Sequence, residues 1–521
     1  MRRLAGLLAL VLLVRCGADA SGNSSSSPMS GSDSSSTGKP DAAGEAPGPA
    51  GPPETEIEVA TEAPQAAGGF VFVLATALDA VVRIDAKTLV VKLIEVGGEP
   101  SVLRTLGDGT LVVANRGTQD FSVIHGAADA AGEPSVITVP APTTVTHVEV
   151  APDGQHAVAW YDPDTATSDD PVGNLQSVLV LDLTAGAEAA FRIGVGFHPM
   201  SVTFAAGKAF VVTESGVSVI ALAEVAGPGF VPALPVSPDP LSSSDDREVL
   251  ITSDGAHAVV RRGGVAELRI IDLGTGEATV VPLDGAPTDV DLAGSEAIVV
   301  LREAALLVRV PLADPSKQTT IDLGVTPAGL VTLTPDASQA ILFSTLAGNE
   351  WVAILDLATG KLRPYAIEKS IAAIAPSPDG KTALILHTKA DGTPQPGDDI
   401  HTLVDKSEGY SVLDLASGFT MLELTDSKPG AIAFLPSGDK CYVCVPDTTG
   451  AGHHEVADVD LRTMLVTPRP LGSPPVHALA IPSAGRIAVS QDHPVGRITF
   501  IDTKTGTTDT VTGFELNGLI E

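Results

Sequence analysis

The sequence predicts an all-β repeat fold, a β-propeller of four-stranded antiparallel blades with about ten units in one ring. Three observations carry this. From Gly68 onward a phrase of four short apolar strands recurs with a period of about 45 residues, the length of one blade. Its first turn recurs as Pro152-Asp153-Gly154, Ser253-Asp254-Gly255, Pro378-Asp379-Gly380 and Pro436-Ser437-Gly438, where Gly supplies the positive φ of a tight hairpin. Its third strand ends in an acid at Asp85, Asp182, Asp272, Asp356, Asp414 and Asp502, in most cases with Gly four residues on. An Asp there accepts hydrogen bonds from the amides of the next turn, so these aspartates read as structural.

The chain opens with Met1, Arg2, Arg3 and an apolar run from Leu4 to Val14, the pattern of an export signal and too short to span a bilayer. Leu13-Val14-Arg15-Cys16 resembles the lipobox of bacterial lipoproteins, which implies acylation at Cys16, although Arg15 stands where a small residue is usual. Residues 17–67 are Ser-, Gly- and Pro-rich and have little to bury, as expected of a disordered tether with a typical span of about 40 Å. The domain organisation is therefore a signal at 1–16, a tether at 17–67 and a propeller at 68–521.

Repeat units begin near 68, 101, 145, 200, 247, 288, 328, 372, 431 and 477. The Pro- and Ser-rich stretch Pro232 to Asp246 is the one place where two rings could divide. The first unit starts on what reads as a second strand, and residues 514–521 resemble a spare first strand. That pairing predicts one ring clasped by its C-terminal strand.

Phe72-Val73-Leu74, Val81-Val82-Arg83-Ile84-Asp85 and Glu95-Val96-Gly97-Gly98-Glu99-Pro100 resemble the YVTN-type β-propeller repeat of bacterial surface proteins and lactonase-like propellers. The resemblance runs over nearly all of 68–521 and implies either a surface binding module or a lactonase-like hydrolase.

The formal charge of −33, nearly all of it in the repeat region, would repel nucleic acid and anionic headgroups. Membrane association is expected only through a lipid anchor. Cys441 and Cys444, at odd spacing on one strand, point to opposite faces and read as core thiols.

In an antiparallel blade, the loops joining second to third strands leave from the same edge as the loops between blades. The longest loops lie there, and they carry the ligand-binding candidates Asp162, Asp164, His387, Asp398, Asp447, His453, Asp492, His493 and Arg497, joined by His198 and His477. Carboxylates suit calcium and imidazoles suit zinc, so a divalent cation such as calcium is conceivable, though no EF-hand loop or short His-x-x-x-His pair occurs. No sialidase box is present, and Trp160 and Trp351 are too few for a quinoprotein ring. His387, Asp492, His493 and Arg497 are the nearest approach to a hydrolase group. The sequence therefore points to an exported propeller that binds or scaffolds a protein or small ligand without catalysis, with no cofactor expected. A lactonase-like or metal-dependent hydrolase on the same face is the alternative.

Overall fold

The computed structural model describes residues 64–129, 132–166, 171–239, 247–324, 328–450 and 452–514. Cys16, the signal and nearly all of the tether lie outside them. Ten antiparallel sheets follow one another along the chain: blade 1 (65–95), blade 2 (100–140), blade 3 (147–194), blade 4 (199–221), blade 5 (247–282), blade 6 (289–322), blade 7 (330–366), blade 8 (371–425), blade 9 (432–470) and blade 10 (475–512). None of the described helices is long and apolar enough to cross a membrane.

Period-2 alternation explains how the blades join. In the second strand of blade 6, Ala297, Val299 and Leu301 pack toward blade 5, while Ile298 and Val300 pack toward blade 7. Both faces of the strand are buried, so it is apolar almost throughout. Ten hydrophobic clusters result, one at each junction. The tenth joins Phe500 of blade 10 to Val71 and Val82 of blade 1 and so closes a single ring. Another, from Phe210 to Ile271, joins blades 4 and 5 across the stretch where two rings could have divided. Cys441 faces blade 8 and Cys444 faces blade 10, both as buried free thiols.

Turn chemistry follows the sequence expectation. Asp85 Oδ1 accepts from the amides of Lys87 and Thr88, and Asp272 Oδ1 from those of Gly274 and Thr275. Gly276 has φ 77°, and where this position is not Gly, Leu89 and Met464 take the same left-handed conformation.

Two places depart from expectation. The first blade does not lack an inner strand: Gln65–Ala67, within the stretch assigned to the tether, pairs with Phe70–Ala75. That fills the position reserved for residues 514–521, because a Gly68-Gly69 turn lets a strand fold back at once on its neighbour. Residues 515–521 lie outside the described residues, and Phe514 packs in the cluster between blades 10 and 1. Blade 4 has only three strands. The chain beyond it runs to blade 3, where Gly229–Phe230 adds in parallel to Ala189–Gly194, and returns through a single bridge between Leu234 and Val217. Gly216 permits that return, since a Cβ there would stand 2.0 Å from the Leu234 carbonyl oxygen.

Candidate functional site

The junction of blades 3 and 4 brings together three of the residues singled out above. His147-Val148-Glu149-Val150 and His156–Trp160 are the first two strands of blade 3, and Trp160 is fully buried with its ring stacked on His147 at 4.9 Å. Just beyond Trp160 the chain turns. The Thr146 hydroxyl accepts from the Asp162 amide at 2.8 Å, and Asp162 Oδ1 accepts from the Asp164 amide at 2.9 Å. These bonds fix Asp162, which is only 8% exposed.

His198 arrives from the loop between the two blades, in Val195-Gly196-Phe197-His198-Pro199. Its φ of 53° is unusual for a residue with a Cβ and orients the ring inward, where it is 5% exposed. The amide of His198 donates to the Leu175 carbonyl, and that of Phe197 to the Ser215 hydroxyl, so the loop is held from both blades. The related loop Val96-Gly97-Gly98-Glu99-Pro100 puts Glu99 in the same conformation, with φ 51°. There Glu99 pairs with Arg116; here His198 pairs with Glu214 on the corresponding turn of blade 4. The repeat supplies the position, and the side chains decide its chemistry.

Both imidazole nitrogens of His198 are engaged by carboxylates, Nδ1 by Glu214 Oε1 at 2.7 Å and Nε2 by Asp162 Oδ1 at 3.2 Å. Burial pushes the ring's pKa down, but the hydrogen bonds and charges of Glu214 and Asp162 outweigh it and hold the value above that of an ordinary histidine. Arg247 of blade 5 donates to the Glu214 carbonyl at 3.0 Å and steadies that turn. Ligand atoms of Asp162, Asp164 and His198 lie within 4.8 Å of one another. With Nε2 toward Asp162, Nδ1 held by Glu214 and Asp164 close by, the group has the donor set and the outer carboxylate that a metal-ligating histidine requires.

The other candidates do not join it. His387 is buried within blade 8, its Nε2 against the Ser411 hydroxyl at 2.7 Å and its Nδ1 against the Ser370 carbonyl at 3.1 Å. Desolvation lowers its pKa to about 4, so the ring is neutral. Asp398 pairs with Lys406 at 3.2 Å, beside the short helix Ile400–Asp405. Asp447 organises its own loop by accepting from the amides of Thr449 and His453 and from that of Gly452, while His453 itself is exposed. On blade 10, the His477 amide donates to the Ser490 hydroxyl, Asp492 is exposed, His493 Nδ1 accepts from the Val495 amide, and Arg497 reaches the Ser473 hydroxyl at 3.2 Å. These residues belong to blades 8 to 10 and not to the junction of blades 3 and 4 that holds His198. Sequence reasoning missed Glu214 and Thr146. The only signal for Glu214 was its turn between adjacent strands, one hairpin beyond the loop that carries His198.

Fold and site together define a ten-bladed β-propeller with a carboxylate–imidazole group on its loop-bearing face. No protein-family model matches the chain, and no curated protein sequence does. Among solved structures it is similar to hydrazine synthase of Kuenenia stuttgartiensis at 15% identity over 60% of this chain and 95% of that one, TM-score 0.34. It is similar also to the dihydro-heme d1 dehydrogenase NirN in complex with DHE at 12% identity over 78% and 73%, TM-score 0.40, and to apo AztD of Citrobacter koseri at 14% over 59% and 86%, TM-score 0.33. The likeness is one of propeller fold.

Proposed function

We propose that this protein is a non-catalytic binding propeller of the YVTN type, carried on a lipid-anchored tether at the cell envelope, that takes a divalent transition ion such as zinc at the junction of blades 3 and 4. The observation that carries the ligand is the convergence of Asp162, Asp164 and His198, with Nε2 at Asp162 and Glu214 behind the ring. An imidazole in the set favours a zinc-type ion over the calcium that carboxylates alone would suit. In the ion-free protein a proton on the ring serves between the two carboxylates, and an ion entering at Nε2 displaces it. The tether and Cys16 support display at an envelope, where the acidic body would draw cations toward the ring.

Titration calorimetry of chelator-treated protein with zinc chloride tests the reading. One equivalent should bind saturably and more tightly than calcium, and His198→Ala or Asp162→Asn should weaken it by about tenfold or more. Absence of saturable binding, or variants that bind as well as the parent, would sink the ion assignment. Separation of membrane and soluble fractions, with Cys16→Ser as control, tests the anchor: the parent should sediment with membranes and the variant should not.

A further inference from the structure

Blades 8 and 9 meet over a cavity that their own side chains leave chemically incomplete. It has a volume of about 370 Å³ and lies between the outer strands of the two blades, away from the His198 group. Tyr410 lines it from the third strand of blade 8 and pairs across the sheet with Glu423 of the fourth. Glu455, first residue of the third strand of blade 9, faces them with Met421, Met464 and Leu465.

Tyr410 is fully buried, yet its hydroxyl has no hydrogen-bond partner among the described residues. Leaving a buried hydroxyl unsatisfied is unfavourable, and a ligand group accepting or donating a hydrogen bond there recovers that cost. Desolvation raises the pKa of both Glu423 and Glu455, and for Glu455 the charges of Glu423 and Asp426 add to it. No Lys or Arg pairs with either carboxylate among the described residues.

The repeat provides an internal control. In blade 5 the first residue of the third strand is Glu267, and it is answered by Arg262 at 2.6 Å and Arg269 at 3.6 Å. The residues at those two places in blade 9 are Val445 and Ala457. Blade 9 therefore keeps the acid and lacks both cations. Like charges crowded into a half-buried cavity are unfavourable unless a positive group joins them. Methionine and leucine walls add an apolar contact that a bare metal ion would not use.

We propose that the cavity between blades 8 and 9 binds a small organic amine, its ammonium between Glu423 and Glu455 and within reach of the Tyr410 hydroxyl, its hydrocarbon part against Met421, Met464 and Leu465. The site is independent of the ion site at blades 3 and 4. Three hydrogens of a primary ammonium match two carboxylates and one phenolic oxygen, and a cavity of this size suits a small molecule.

Titration calorimetry of the intact protein with n-hexylamine, and with n-hexanol as its neutral counterpart, tests this. Hexylamine should bind saturably and at least about tenfold more tightly than hexanol. The double variant Glu423→Gln, Glu455→Gln should lose that preference, Tyr410→Phe should weaken binding several-fold, and Leu465→Asn, at an exposed position, should weaken it without affecting the fold. His198→Ala should bind hexylamine as the parent does. Equal binding of hexanol, no saturable binding, an unaffected double variant, or displacement of hexylamine by equimolar calcium would each overturn the assignment.

Discussion

His198 and His387 are both nearly inaccessible, both lie on the loop-bearing side of the ring, and they are opposite in character. His198 sits between two carboxylates and its pKa is raised; His387 sits between a hydroxyl and a carbonyl and its pKa is lowered to about 4. Burial acts in the same direction on both. The partners decide the outcome: two anions reverse the desolvation of His198, while around His387 neutral dipoles and the nearby Lys369 charge leave desolvation in force. The first environment is the one proposed above to exchange a proton for a metal ion. The second holds a neutral ring as part of the blade.

The largest effect that should separate the two is acid sensitivity. Because the folded value of His387 is depressed below the unfolded value of about 6.5, its contribution is whole above that pH and lost as pH falls from about 6.5 toward 4. The loss amounts to about 3 kcal/mol at roughly 1.4 kcal/mol per unit. Chemical denaturation across that window should show the decline, and His387→Gln should flatten it. If the variant keeps the full slope, His387 is not the neutral core ring described here.

Next in size is the role of Glu214. Glu214→Gln keeps a partner for His198 Nδ1 but removes its charge, and loss of such an outer carboxylate weakens metal sites by about 10–100-fold, or about 1.4–2.7 kcal/mol. Zinc titration should show this drop while the acid sensitivity due to His387 stays unchanged. An unaltered affinity would mean that Glu214 is only a packing partner.

The smallest effect concerns Ser411, whose hydroxyl meets His387 Nε2 at 2.7 Å. Ser411→Ala should cost about 1 kcal/mol of stability, the net worth of one buried hydrogen bond, and leave zinc binding untouched. A zinc phenotype in this variant would couple the two regions and undo the contrast between them.

How much of this the sequence displayed depends on the distance over which each feature is made. The hairpin glycines and strand-end aspartates were legible because turn chemistry is settled within a few residues, as when Asp272 caps Gly274 and Thr275. Ten units were legible for the same reason. Asp162, Asp164 and His198 were recognisable as candidates by residue type and loop, but so were Asp447 and His387, which the structure commits to a loop and a blade interior. Asp162 and His198 are 36 residues apart, and nothing local brings them to 3.2 Å.

The sequence by itself determined the blades: apolar alternation on both strand faces, a glycine at most of the turn positions where φ is positive, and a period that repeats the unit ten times. Tertiary structure alone decided which charges meet between blades. It put His198 between Asp162 and Glu214, set Glu423 and Glu455 in one cavity with Tyr410 and no arginine among its described lining residues, and gave the inner strand of blade 1 to Gln65–Ala67. The physical reason is that a blade's own strands are specified by neighbours in sequence. A junction is specified by two surfaces that share no local signal and meet only when the ring is packed.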